Sequence, residues 1–93
     1  MLIVFGGLPG TGKTTLSQGL ARRLRASYVR VDAIESALLT AGLVPDQPSV
    51  GTAGYVVANR VARSCLLAGL DVVVDAVNPV EVARQGWREL GAA

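Results

Sequence analysis

Short runs of consecutive apolar residues alternate along this chain with longer segments in which polar residues interrupt the apolar ones. Residues 2–5 and 72–74 are apolar without a break, and residues 28–31 contain a single arginine. Continuous runs of this length, without strict in–out alternation, are typical of parallel strands that are covered on both faces. The pattern therefore predicts three strands of a parallel sheet.

The segment after the first strand has the periodicity of an amphipathic helix of about three turns. Leu16, Leu20 and Leu24 recur every four residues and are expected to form its apolar stripe. Gly19 lies in the middle of this helix, where glycine costs about 1 kcal/mol relative to alanine. We therefore expect Gly19 to allow close packing of the helix against the sheet.

Two more helices are predicted in the middle of the chain. Asp32 begins the first, over residues 33–40, and Gly42 stops it. The second covers residues 53–68 and ends at Gly69, and the proline-containing residues 42–52 between the two helices are expected to form a loop. The buried stripe of the second helix is expected to consist of Val57, Val61, Cys65 and Ala68, widened by Ala58 and Ala62.

A last helix is predicted over residues 80–90, with Pro79 near its N-terminus. Strands that alternate with helices in this order indicate an α/β fold, with a parallel sheet and right-handed crossovers. No internal repeat or low-complexity tract divides the chain. We therefore expect one domain over residues 1–93.

The loop between the first strand and the first helix carries the strongest chemical pattern. Residues 7–14 match G-x-x-x-x-G-K-[ST], with an apolar strand before them and a helix after them, as a phosphate-binding loop requires. Glycines let backbone N–H groups turn towards phosphate oxygens, and the first turn of the helix adds further N–H groups. Lys13 can place its charge on the β- and γ-phosphates, and Thr14 offers a hydroxyl to Mg²⁺. A glycine-rich turn that binds nothing would leave this combination unexplained.

Two aspartates lie at the ends of predicted strands, beside this loop. Asp75 closes the third strand, where a carboxylate can hold Mg²⁺ near the Thr14 hydroxyl; the alternative is a helix cap. Asp32 lies at the carboxyl end of the second strand, the edge at which open α/β sheets bind their ligands. It can accept the proton of an attacking substrate hydroxyl, and it can also serve as the N-cap of the following helix.

Composition narrows the class of protein. The chain has 93 residues, enough for one small domain, and no apolar run long enough to cross a membrane. With a single cysteine, Cys65, and no histidine, it has neither an internal disulfide nor the usual ligands of zinc. The net charge of +2 and the scattered arginines argue against a nucleic-acid partner. We expect a cytoplasmic soluble protein with Cys65 in its core.

Taken together, the motifs resemble those of small P-loop kinases with AAA-type or zeta-toxin-like ATP-binding domains, such as adenylylsulfate kinase, gluconate kinase and the phosphotransferase domain of polynucleotide kinase. The matching segments are G-G-L-P-G-T-G-K-T-T (6–15), Y-V-R-V-D (28–32) and residues 72–88, which begin with V-V-V-D-A-V-N-P, contain Arg84 and end with W-R. The resemblance implies ATP and Mg²⁺ as cofactors and transfer of the γ-phosphate to a hydroxyl of a small-molecule acceptor. It implies that nucleotide is bound by Gly7, Pro9, Gly10, Thr11, Gly12, Lys13, Thr14 and Thr15.

The same resemblance assigns further roles. It implies that Lys13 and Asp32 are catalytic, with Asp32 facing the substrate, and that Thr14 and Asp75 hold Mg²⁺. Asn78 and the helix-borne Arg84 would be supporting polar contacts to substrate. The chain carries Glu35 at a position where many of these kinases have an arginine.

The family fold is a three-layer α/β/α arrangement with the strand order 2-3-1-4-5, of which this chain holds strands 2-3-1. We therefore expect the chain to be the N-terminal part of a longer kinase, or a partner to cover the free edge of the first strand. An unpaired strand edge is a template for self-association.

The same residues are also compatible with a second function. An ATP-binding or ATPase module without transferase activity would need the loop and the Mg²⁺ site, but no acceptor pocket at Asp32. A dinucleotide-binding Rossmann domain is a more distant alternative, because no G-x-G-x-x-G register fits these glycines and Lys13 would have no role.

Overall fold

The computed structural model describes residues 1–6, 12–44, 47–76 and 87–90. Residues 87–90 are helical, and the rest of the last predicted helix lies outside the described residues. None of the helices in the described part of the chain combines the length and the apolar character that a bilayer span needs. The elements in chain order are β1 (Leu2–Phe5), α1 (Lys13–Leu24), β2 (Ser27–Arg30), α2 (Val31–Thr40), α3 (Gln47–Leu67) and β3 (Val72–Asp75).

The three strands form a parallel sheet in the order β1-β3-β2, so the last strand in the chain lies in the middle. Val73 of β3 lies opposite Ile3 of β1 on one side and Tyr28 of β2 on the other. The three valines of β3 are fully buried, as expected for a parallel strand covered on both faces. The predicted α/β class and the strand order 2-3-1 are confirmed.

Helices cover both faces of this sheet. The face formed by Val72 and Val74 packs against α3 and Trp87, and α2 packs mainly against α3. Because successive side chains of a strand point to opposite faces, Asp75 lies on the other face, where it contacts α1. The α3 side holds the main core, which consists of Val29, Val31, Ala58, Ala62, Val72, Val74, Ala76 and Trp87.

The buried face of α1 differs from the predicted one. Leu16 is 65% exposed, whereas Ser17 and Ala21 are buried. Leu20 and Leu24 are half-buried at the flanks of this face. The stripe was predicted from the largest apolar side chains, but small residues face the strands because the helix lies close to the sheet.

The buried face of α3 shows the same shift. Ala58 and Ala62 are fully buried, while Val57 and Val61, the predicted centre of the stripe, are 38% and 44% exposed. Cys65 is half-buried and packs against the core, as expected. The small residues predicted only to widen the stripe are in fact its centre.

The C-terminal ends of α2 and α3 lie where the glycines predict them, but the start of α3 differs from the prediction. Gly42 and Gly69 follow α2 and α3 with φ of 70° and 84°, which confirms both as helix stops. The predicted loop over 42–52 is wrong from residue 47 onwards, because α3 begins at Gln47. Pro48 therefore lies in a first helical turn, where proline is tolerated because its missing N–H would have no intrahelical partner.

Two helical glycines have different surroundings. A Cβ at Gly19 would meet no atom of the described residues within 4 Å outside the backbone of its own helix, so the expected close packing at this glycine is wrong. The close approach is at Gly54 of α3, where a Cβ would lie 2.6 Å from the Cγ of Glu35. Gly54 therefore lets α3 pack closely against α2.

Candidate functional site

Helix α1 begins directly after Gly12, the second glycine of the phosphate-binding pattern. Gly12 has φ 79° and ψ 2°, a left-handed conformation that residues with a side chain rarely adopt. Its carbonyl accepts a hydrogen bond of 3.1 Å from the N–H of Leu16, which closes the first turn. A Cβ at Gly12 would meet no atom of the described residues within 4 Å, and the backbone conformation by itself favours glycine there.

Thr14, in the first turn of α1, contacts the carboxyl end of the central strand. Its Oγ1 donates a hydrogen bond of 2.9 Å to Oδ2 of Asp75. Asp75 is only 4% exposed, and a buried carboxylate is unfavourable unless hydrogen bonds compensate for its lost hydration. The structure thus brings together the two side chains that the sequence predicts as ligands of Mg²⁺.

Two further hydroxyl groups reach the same carboxylate oxygen. Tyr28 of β2 donates to Oδ2 of Asp75 at 3.0 Å, and the fully buried Ser17 of α1 lies 3.4 Å from it. The Ser17 Oγ also lies 3.0 Å from the Tyr28 hydroxyl and donates to the carbonyl oxygen of Thr14 at 3.0 Å. We call Thr14, Ser17, Tyr28 and Asp75 the hydroxyl–carboxylate cluster.

Ser17 and Tyr28 are not among the site residues predicted from the sequence. Ser17 follows Thr14 by three residues, so the two lie on one face of α1. Tyr28 is half-buried in β2, where a tyrosine hydroxyl turned towards the protein usually has a hydrogen-bond partner. Both signals are present in the sequence, but neither identifies Asp75 as the partner.

The surroundings of Tyr28 keep its hydroxyl a proton donor. Burial raises the pKa of Tyr28 above its ordinary value of 10.0, and the hydrogen bond between Tyr28 and Ser17 opposes this effect. The hydrogen bond to Asp75 and the negative charge of Asp75 raise the pKa further. Tyr28 is therefore protonated at neutral pH and donates to the carboxylate.

The donor atoms of this cluster suit Mg²⁺. Thr14 and Asp75 offer a hydroxyl and a carboxylate oxygen, the hard donors that Mg²⁺ prefers. The described residues contain no group of three or more His, Cys, Asp or Glu side chains able to hold a metal. Mg²⁺ needs no such group when one or two protein oxygens act together with water and a nucleotide phosphate.

Asp32 lies in the first turn of α2, after the carboxyl end of β2. The helix begins at Val31 with Arg30 as its N-cap, so the expectation that α2 starts at residue 33 with Asp32 as its cap is wrong. The Asp32 side chain is 54% exposed, and its Oδ2 lies 3.9 Å from Nη2 of Arg30. A carboxylate in the first turn is favourable because the N-terminal end of a helix carries partial positive charge.

Glu35 lies one turn further along α2 and is half-buried. Burial raises its pKa above the ordinary value of 4.5, and the negative charge of Asp32 raises it further. Glu35 is also the residue that Gly54 faces. The position therefore lies at the contact between α2 and α3.

Several residues of the predicted site cannot be placed in the same way. Only the backbone of Lys13 is described, as the first residue of α1, and Thr15 is exposed on that helix. The remaining predicted nucleotide and substrate residues lie outside the described residues: Gly7, Pro9, Gly10, Thr11, Asn78 and Arg84.

The phosphate-binding pattern between β1 and α1, the parallel sheet and the Thr14–Asp75 contact define a small P-loop domain of the kinase-like type. Residues 2–93 match the family model described as AAA domain, so the chain belongs to that family.

Individual relatives agree with this assignment. An adenylyl-sulfate kinase from Synechococcus is 38% identical over 92 residues, which cover 90% of this chain and 50% of that protein. An uncharacterized protein from Mycobacterium tuberculosis is 33% identical over 84 residues, or 80% of this chain and 17% of that protein. The crystal structure of a candidate kinase from Chloroflexus aurantiacus matches 98% of this chain with a TM-score of 0.84 and 28% identity. The chain spans 51% of that structure, and half or less of the two relatives.

Proposed function

We propose that the protein containing this chain is an ATP- and Mg²⁺-dependent phosphotransferase that transfers the γ-phosphate of ATP to a hydroxyl of a small-molecule acceptor. The contact between Thr14 and Asp75 carries the proposal, because it joins the end of the phosphate-binding pattern to a buried acid on the central strand. The similarity to an adenylyl-sulfate kinase and to a candidate kinase of known structure supports the same class of reaction.

The residues of the phosphate-binding pattern would bind the nucleotide. Backbone N–H groups from residues 7–15 and the ammonium group of Lys13 would contact the phosphate oxygens. Thr14 and Asp75 would hold Mg²⁺, which neutralises charge on the β- and γ-phosphates when it is bound. Gly12 supports this assignment because its left-handed backbone directs the chain from the loop into α1.

Asp32 would accept the proton of the acceptor hydroxyl. Its carboxylate is exposed to solvent and lies at the carboxyl edge of the sheet, the edge at which Asp75 ends β3. A positioned base of this kind contributes roughly 10² to 10⁴ in rate. Asn78 and Arg84 would add polar contacts to the acceptor.

A second candidate is an ATP-binding or ATPase module without transferase activity. It is favoured by the position of Asp32, whose contact with Arg30 and place in the first turn of α2 already give it a role in the fold. Such a module needs the hydroxyl–carboxylate cluster but does not need Asp32.

Measuring ADP release with and without a panel of hydroxyl compounds separates the two candidates. A transferase releases ADP faster when its acceptor is present, and Asp32→Asn should remove that acceleration while ATP affinity stays unchanged. Asp71→Asn is the matched control, because Asp71 precedes β3 at the opposite end of the strand. If no acceptor accelerates ADP release and Asp32→Asn does not change it, the result favours the ATPase module without transferase activity.

A further inference from the structure

We propose that Tyr28 is a positioning residue for Asp75: its hydroxyl, supported by Ser17, fixes the orientation of the carboxylate that receives the metal ion. The inference rests on the proposed function, because the metal is the Mg²⁺ of the nucleotide complex. It adds a residue of β2 to a site that otherwise comes from α1 and β3.

The position of Tyr28 in the sheet sets it apart from the other hydroxyl donors. Thr14 and Ser17 both lie on α1, which begins at the phosphate-binding loop. Tyr28 lies on β2, which pairs directly with β3 and places Tyr28 opposite Val73. Its hydrogen bond to Asp75 therefore joins two neighbouring strands and does not depend on the position of the loop or of α1.

Counting protons indicates that Tyr28 supports Asp75 more directly than Ser17 does. The Ser17 hydroxyl has one proton and three acceptors within reach: the Thr14 carbonyl at 3.0 Å, the Tyr28 oxygen at 3.0 Å and Asp75 at 3.4 Å. The contact with Asp75 is the longest of the three. Tyr28 approaches the same carboxylate oxygen to 3.0 Å, so it makes the stronger bond.

This support matters when Thr14 acts as a metal ligand. The Thr14 hydroxyl has one proton and two lone pairs, so as a ligand it would have to orient towards the metal and towards Asp75 at once. Its hydrogen bond to Asp75 would then depend on the metal as well as on the fold. A second donor on the sheet keeps Oδ2 in place, and groups that orient a ligand in this way typically change metal affinity by about 10- to 100-fold.

The test measures Mn²⁺ affinity by electron paramagnetic resonance, with Mn²⁺ alone and with Mn²⁺ plus ATP, on the full chain. Tyr28→Phe removes one hydroxyl and keeps the ring. Tyr55→Phe is the matched control, because Tyr55 is half-buried on α3 and packs edge-on against Trp87 at 5.4 Å. We expect Tyr28→Phe to weaken Mn²⁺ binding about tenfold, and Tyr55→Phe to leave it unchanged.

Metal-free ATP affinity, measured in EDTA, separates positioning from a general loss of structure. Tyr28→Phe should leave it unchanged. An unchanged Mn²⁺ affinity in Tyr28→Phe would overturn the inference, and so would an equal loss of metal-free ATP binding. If Tyr28→Phe does not fold, Tyr28→Leu replaces it, because it also removes the hydroxyl, and an unchanged Mn²⁺ affinity in that variant overturns the inference.

The same data distinguish this inference from the proposed function. A wild-type chain that binds Mn²⁺ but no ATP would contradict the proposed function, while the Tyr28→Phe result would still decide the role of Tyr28. A wild-type chain that binds both ATP and Mn²⁺, beside a Tyr28→Phe variant with the same Mn²⁺ affinity, would overturn the inference alone. A wild-type chain that binds neither would overturn both.

Discussion

The hydroxyl of Thr14 lies 2.9 Å from the carboxylate of Asp75, although 61 positions separate the two residues in the chain. Thr14 follows the first strand in sequence, whereas Asp75 ends the strand that lies between the other two. The contact therefore requires β3 to lie beside α1. The site at this position depends on the folded sheet.

Substitutions at Thr14 test the role of its hydroxyl group separately from the role of its side-chain shape. Thr14→Val keeps the shape but leaves the buried Asp75 carboxylate without one donor, which should lower the free energy of unfolding by about 1–3 kcal/mol. It should also abolish the Mg²⁺ dependence of ATP binding. Thr14→Ser keeps the hydroxyl and should retain both properties. Urea unfolding and ATP titration at several Mg²⁺ concentrations check this, and equal behaviour of the two variants would contradict it.

Replacing Gly12 tests whether its left-handed backbone conformation supports nucleotide binding. Gly12→Ala should lower the free energy of unfolding by about 1–2 kcal/mol, because a Cβ is unfavourable at φ 79°. Gly69→Ala is the matched control, since φ is 84° there and the residue follows α3. Both variants should lose similar stability in thermal unfolding, but only Gly12→Ala should lose ATP affinity. Equal ATP affinity in the two variants would argue against a role of Gly12 in binding.

Two helical glycines should respond to alanine in opposite directions. Gly19→Ala should raise the free energy of unfolding by about 1 kcal/mol, because there is open space and alanine is the better helix former. Gly54→Ala should lower it, because the new Cβ would lie 2.6 Å from Cγ of Glu35. In a Glu35→Ala background, Gly54→Ala should become stabilising. Chemical unfolding of the four variants measures this, and the same sign for both single substitutions would show that α2 and α3 do not approach at Gly54.

The raised pKa of Glu35 predicts a pH dependence of stability. The carboxyl group of Glu35 keeps its proton to a higher pH in the folded state than in the unfolded state. Its contribution to stability is therefore fully present at pH values below its ordinary pKa of 4.5. That contribution is lost as the pH rises through the folded-state pKa. Relative to Glu35→Gln, the wild type should therefore lose stability as the pH increases from about 4.5.

Thermal unfolding of both proteins over this pH range checks the prediction. Burial is the larger cause of the raised pKa and the charge of Asp32 the smaller one, so Asp32→Asn should make the dependence shallower without removing it. A difference between wild type and Glu35→Gln that is constant with pH would contradict the prediction.

Features that depend on residues close together in the chain could be predicted from the sequence. The apolar run of β3 identifies a covered parallel strand, and Gly42 and Gly69 stop their helices because both adopt a positive φ. The strand order could not be predicted from such local patterns. It came from the resemblance to a known family, because adjacency in a sheet depends on pairing between distant segments.

The helix faces were predicted wrongly for a physical reason. Counting large apolar residues places Leu16 and Val57 inside, but close approach to the sheet selects Ser17 and Ala58. Tyr28 was missed because its partner belongs to another strand, and its hydroxyl gains a role only when β2 and β3 are neighbours. Size, spacing and local motif therefore identified Thr14 and Asp75, whereas the hydrogen bonds that support them required the folded structure.

All of the proposed roles depend on the binding of ATP phosphates by the segment before α1 together with Lys13. Calorimetric titration of the full chain with ATP and Mg²⁺ tests it most directly, with Lys13→Ala measured beside the wild type. We predict a saturable heat of binding for the wild type and an affinity at least about tenfold lower for Lys13→Ala, because a charge-assisted contact is worth about 1.5–3 kcal/mol. No heat of binding from the folded wild type, or equal affinity in the two proteins, would contradict the account.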